Sequence, residues 1–125
     1  MQCTKPIEQL EDIRQLVKEF YARVRQDAML GPVFNEQISD WTKHLSIMYR
    51  FWQTLLLEEY TYKGSPFLQH MHLPVTRKHY DHWLDLFCQT VDALFHGAKA
   101  EEAKWRASRM AEVFWSKTEF MRETS

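Results

Sequence analysis

The sequence predicts an all-α fold in a single domain, and three observations carry that prediction. Apolar residues recur at steps of three and four along most of the chain. Breakers are scarce, with three Gly and four Pro among 125 residues. Large rings are abundant: aromatics reach 14%, with five Trp and eight Phe. No run alternates with period two, so no sheet is expected. The length suits one domain with one core, and no linker, repeat or low-complexity tract divides it. The domain is therefore read over 1–125, with 1–12 as an N-terminal extension or short helix and 121–125 as a tail.

The first helix is carried by Ile13, Leu16, Val17, Phe20, Tyr21 and Val24, which share one face. Gly31-Pro32 ends that stripe, and Phe34 follows as an isolated apolar residue in an expected loop. Ser39 or Asp40 can cap the next helix, which carries Trp41, Leu45, Met48, Phe51, Trp52 and Leu55 on one side. The polar run from Glu58 to Ser65, with Gly64, reads as a loop. Ser65-Pro66 is a start signal, a cap followed by Pro at the first helical position. Only a short helix fits before Leu73-Pro74 ends it. A long helix after Thr76 carries Tyr80, Trp83, Leu84, Phe87, Cys88, Val91 and Leu94 or Phe95, until Gly97 breaks it. The last helix runs from about Lys99 towards Phe120, with Ala103, Ala107, Met110, Ala111, Phe114 and Thr118 facing inward. The outline is four long helices and a short one in the middle.

Composition excludes several classes. Hydrophobic residues make up 45% and charged residues 26%, ordinary for a soluble globular chain. A net charge of -1 and a pI near 6.6 give no reason to expect nucleic acid or an anionic membrane as partner. No apolar stretch approaches the ~18 residues of a spanning helix. The N-terminal residues lack the apolar core of a secretory signal. Cys3 and Cys88 make no disulfide framework and no CxxC, so a reduced cytoplasmic setting is expected, with Cys88 in the core and Cys3 a terminal thiol. Three glycines cannot supply a phosphate loop. There is no HExxH, no inward Glu-x-x-His pair and no serine or cysteine nucleophile motif.

The histidines are the remaining chemistry. His44 lies three residues after Trp41 and four before Met48, within the apolar stripe. His70 lies three after Phe67, on the inward face of the short helix. His72, two positions on, is about 200° round and faces outward if His70 faces inward. His79 and His82 flank Tyr80 and Trp83 and read as solvent-facing; His96 is near a helix end. A lone inward histidine is more often a hydrogen-bonded core residue than a ligand. Tyr21 and Trp83, taken singly, are ordinary packing residues with a polar handle.

Taken together these residues form a pattern. Phe20-Tyr21 precedes Phe34, itself within residues 30–34; Trp41-x-x-His44 and Phe51-Trp52 come next. Pro66-x-x-x-His70-x-x-Leu73-Pro74 and Tyr80-x-x-Trp83-Leu84-x-Leu86-Phe87 complete it. Each piece is weak alone, but their order and spacing from Leu16 to about Phe120 resemble the truncated haemoglobins, specifically their third group. The glycine pairs of the other truncated groups are missing.

The resemblance implies a two-over-two helical sandwich around haem b, with His70 as the iron ligand. It implies that Phe34 packs on the porphyrin and that Tyr21, His44 and Trp83 hold the distal positions. Leu45 and Met48 would line the pocket, and Trp52 would fill the core behind. Lys43, Arg77 and Tyr80 are candidates for the propionates. Such a pocket suits the chemistry: haem is flat and mostly apolar, and one imidazole leaves the opposite face of the iron open. A ligand that draws electron density rewards nearby donors, and Tyr21 and Trp83 offer an O–H and an N–H. Two donors favour retention of dioxygen and redox chemistry on nitric oxide or peroxide over transport. His44 would gate access or supply a proton. The expected partners are dioxygen, other diatomic ligands and an electron-donor reductase, with the chain a monomer. A haem-based ligand sensor and a haem-free helical interaction domain are the competing readings.

Overall fold

A computed structural model of the chain describes residues 4–62 and 75–124. These residues contain α1 (Leu10–Gln26), α2 (Leu30–Gln37), α3 (Trp41–Leu57), α4 (Arg77–Leu94) and α5 (Ala98–Thr124). No strand occurs among the described residues; Lys5 and Phe95 form an isolated bridge. The expected short helix with His70 and His72 lies outside the described residues.

The residues before α1 are extended rather than helical from Thr4 to Glu8. They are tied to the α4–α5 corner, where the His96 amide donates to the Lys5 carbonyl at 3.1 Å. Ile7 is buried there. Asp12, in the first turn of α1, accepts from the amides of Glu8 at 2.9 Å and Gln9 at 3.2 Å, and pairs with Lys5 at 2.9 Å. Burial alone would raise the Asp12 carboxyl, but Lys5 and these amides outweigh it and hold it below the usual range.

The expectation of a loop around Phe34 is corrected: Phe34 lies within helix α2. Gly31-Pro32 opens this helix instead of merely ending α1. Asp27 Oδ1 accepts from the amides of Met29 and Leu30, both at 2.9 Å, and so caps the new start. Pro32 sits in the first turn, where amides have no intrahelical partner to lose. Gly31 is required by close approach, since a Cβ there would lie 2.9 Å from the Arg25 carbonyl oxygen.

Asp40 caps α3 by accepting from the Lys43 amide at 3.1 Å, settling the choice between Ser39 and Asp40. Gly97, at φ 97°, makes the left-handed turn between α4 and α5.

The helices pack as two pairs, α1 with α3 and α4 with α5, and α1 joins them by packing on α4. α1 buries every residue of its predicted stripe. α5 presents Ala100, Ala103, Ala107 and Ala111 as its buried face, which lets α4 come close. α3 differs: only Phe51, Trp52 and Leu56, all in its second half, are buried. The apolar residues of its first half, Leu45 and Met48, are half-buried. An apolar face without full protein cover borders a space. That space is the site.

Candidate functional site

Between the helix pairs lies a cavity that opens to solvent. Its walls are mainly apolar: Leu30 and Phe34 from α2, Ile47, Met48, Phe51 and Trp52 from α3, and Met110, Ala111 and Phe114 from α5. Tyr62 and Val75 close it where the described chain leaves α3 and approaches α4. Polar groups are few: Tyr21 from α1, His44 from α3, and His79, Tyr80 and Trp83 from α4.

Three of these, Tyr21, His44 and Trp83, are the residues expected at the distal positions, and all three line the cavity. Tyr21 is buried, and its ring meets that of His44 at 5.0 Å and 88°. Trp41 packs edgewise on His44 at 5.7 Å and 86°, and Arg25 lies over Trp41 at 4.5 Å. Burial pushes the Tyr21 phenol far above its ordinary value, so it keeps its proton at any physiological pH. His44 Nε2 is itself buried. Trp83 is fixed from two sides: its ring stacks on Phe87 at 5.8 Å and 12°, and meets Phe20 edgewise at 5.7 Å. Phe87 in turn stacks on Trp52 at 5.0 Å and 15°; Trp52 is buried in the core and also forms part of the cavity wall.

The other predicted residues divide. Phe34 and Met48 line the cavity; Leu45 packs against the core beside it and Ile47 takes the wall position. Tyr80 lines the cavity with its ring, while its hydroxyl lies 3.2 Å from Thr118 Oγ1. Thr118 gives its own proton to the Phe114 carbonyl at 2.8 Å, so Tyr80 is the donor of that pair. Lys43 and Arg77 are exposed and do not line the cavity; Arg77 is 3.8 Å from Asp81. His70 lies outside the described residues.

Two histidines read as solvent-facing are not so placed. His82 is half-buried and its Nε2 lies 2.6 Å from Asp27 Oδ2, which ties α4 to the cap of α2. No local pattern foretells a pair 55 residues apart. His79 lines the cavity, and a signal for it existed: it stands four residues before Trp83, hence on the same face. Cys88, expected in the core, is only half-buried and lies outside the core cluster; partial burial pushes its thiol up.

Among the described residues, no three His, Cys, Asp or Glu side chains are grouped to hold a metal ion. A porphyrin iron needs only one or two axial ligands from protein, because its ring supplies the rest. A large apolar slot with aromatic walls and a few inward polar groups fits such a ring. Among the described residues no helix is long and apolar enough to cross a membrane.

Comparison with known proteins agrees with this geometry. The family model for Bacterial-like globin matches residues 7–114. The Group 3 truncated hemoglobin ctb of Campylobacter jejuni is 32% identical over 109 residues, covering 83% of this chain and 86% of the relative. The crystal structure of the group III truncated hemoglobin from Campylobacter jejuni superposes with a TM-score of 0.85 at 29% identity. That match covers 93% of this chain and 95% of the other.

Proposed function

The chain belongs to the bacterial-like globins, as a truncated haemoglobin of the third group, and from that premise we propose that it holds haem b through His70 and retains diatomic ligands by donation from Tyr21 and Trp83. Haem binding and diatomic-ligand binding go with globin membership; the particular residues are our reading. When bound, the haem would supply an iron able to take a diatomic ligand such as dioxygen or nitric oxide, or a peroxide.

The observation that carries the reading is the convergence of Tyr21, His44 and Trp83 on one apolar cavity. Tyr21 keeps its phenolic proton because burial disfavours the phenolate, so it can only donate or accept as a neutral hydroxyl. Trp83 carries an indole N–H, a donor in every state, on a ring held by Phe20 and Phe87. A hydrogen bond to a group that has gained negative charge is worth about 1.5–3 kcal/mol. Two donors would therefore slow ligand release strongly, which suits turnover of nitric oxide or peroxide, with electrons from a reductase, better than delivery of dioxygen. His44 packs against both Trp41 and Tyr21 at the cavity wall, where it can gate access or pass a proton. The apolar wall of Phe34, Met48 and Phe51 excludes water and packs the ring faces.

The test is hemin uptake by the purified chain. The wild type is expected to turn red with a strong Soret band, and His72→Ala to do the same. His70→Ala is expected to lose haem or hold it only weakly. A wild-type chain that stays colourless with excess hemin overturns the reading, and equal behaviour of the two variants removes His70 from it.

A further inference from the structure

Resting on the haem reading above, we propose that His79 is the hydrogen-bond donor from α4 to a carboxylate of the porphyrin, the position for which Tyr80 is the more obvious candidate. Tyr80 has its proton committed: Thr118 spends its hydroxyl proton on the Phe114 carbonyl, so the 3.2 Å Tyr80–Thr118 contact is a bond given by Tyr80. Tyr80 is buried, and turning it to another acceptor would leave Thr118 Oγ1 short of a donor.

His79 has the opposite arrangement. Its Nδ1 lies 3.0 Å from the Thr76 amide, which can only donate, so Nδ1 is an acceptor. This contact is half of the reciprocal cap that opens α4. With Nδ1 accepting, the ring proton sits on Nε2. The ring lines the cavity, so the polar atom it can offer an occupant is an N–H donor whose tautomer the backbone has already chosen.

The place suits a carboxylate. His79 is half-buried between buried Tyr80 on one side and exposed Arg77 and Lys78 on the other. It therefore stands at the rim, where the polar edge of an otherwise apolar ring would emerge. The amide end of α4 and Lys78 favour negative charge in the same region, while Arg77 is shared with Asp81 at 3.8 Å. The apolar interior of the cavity has no use for a carboxylate.

The experiment uses the full chain loaded with hemin or with hemin dimethyl ester, whose carboxylates are blocked. Loss of each haem to excess apomyoglobin is timed. His79→Glu keeps the helix cap, because Glu is the usual partner in that cap, but sets a carboxylate against a carboxylate. It is expected to lose hemin at least about tenfold faster than wild type, a loss at the low end for a hydrogen bond to a charged group. With the dimethyl ester its rate is expected to stay within about twofold of the wild type. His79→Gln can cap through its oxygen and donate through its nitrogen, so it is expected to stay within about threefold for both haems.

Circular dichroism of the haem-free variants checks that α4 still forms. If the Glu variant does not fold, His79→Leu carries the same pair of expectations. Hemin loss from the variant at the wild-type rate overturns the proposal. So does equal acceleration with hemin and ester, which would mean a packing effect. Failure of the wild type to bind either haem overturns the haem reading, and this inference with it.

Discussion

Two aromatic clusters meet in this molecule, and they are built on different geometry. Behind the cavity, Trp52, Phe87 and Trp83 stack nearly parallel, at 15° and 12°. At the distal end, Tyr21, His44, Trp41 and Phe34 meet at interplanar angles between 55° and 88°. Stacked rings cover each other's faces and fix a plane; that is a packing task, and Phe87 and Trp52 are almost fully buried. Edge contacts hold a ring while leaving its polar atom outside the contact. The first cluster is thus a wall and the second a set of tools, although a residue count cannot tell them apart. Trp83 belongs to the first cluster and also lines the cavity.

The sharpest way to break this distinction is to remove the middle of the wall. Phe87→Ala deletes a ring with 1% exposure that touches Trp52, Trp83 and Phe20. The expected cost is about 3–5 kcal/mol of stability, from lost transfer energy and the void left behind. Urea unfolding of the haem-free chain measures it. A cost below ~1.5 kcal/mol would mean that the site collapses readily, and that Trp83 is not held by the stack.

Tyr21→Phe is the opposite experiment. The ring and its edge contacts remain, so stability is expected to change by less than about 1 kcal/mol. The hydroxyl is gone, and dioxygen release from the loaded protein is expected to quicken by about ten- to a hundredfold. Trp83→Phe keeps a ring for the stack but removes the indole N–H, and about tenfold is expected. Stopped-flow release rates beside unfolding curves separate the two effects. If Tyr21→Phe destabilises the chain without altering release, the distal cluster is packing like the other.

What the sequence made legible follows the same division. The α1 stripe, the inward face of α5 and the inward direction of Tyr21 and His44 are legible because helical phase is local: Tyr21 follows Phe20 in a stripe, and His44 falls between Trp41 and Met48. α2 is hidden in the sequence because Gly31-Pro32 by itself reads as a stop. Its meaning depends on Asp27, whose carboxylate supplies the missing cap. His79 was misjudged by its neighbours in sequence, although its partner in phase, Trp83, was already assigned to the pocket. The Asp27–His82 and Tyr80–Thr118 bonds join residues 55 and 38 positions apart, and no periodicity encodes them.

Asp27 gives the finest test, since α2 carries Phe34 and Leu30 into the cavity and Asp27 holds α2 at both its cap and its contact with α4. Burial favours its neutral form, but His82 and the amides of Leu30 and Met29 outweigh that and hold its carboxyl below the usual range. A carboxyl depressed on folding adds stability that is complete above the unfolded value, about 3.9, and fades as pH falls through the lower folded value. Asp27→Ala is expected to cost about 1–2 kcal/mol near neutral pH, the range for losing a helix cap. Asp27→Asn keeps an acceptor for the cap and loses only the charge, so the cost is expected to be smaller. In both variants the loss of stability between about pH 5 and pH 3 is expected to be shallower than in the wild type. Asp12 is depressed in the same direction, so part of the acid slope persists in either variant. Urea midpoints across that range decide the matter. A slope as steep in Asp27→Asn as in the wild type would show that the carboxylate's charge does not hold α2, and that Phe34 is positioned by packing alone.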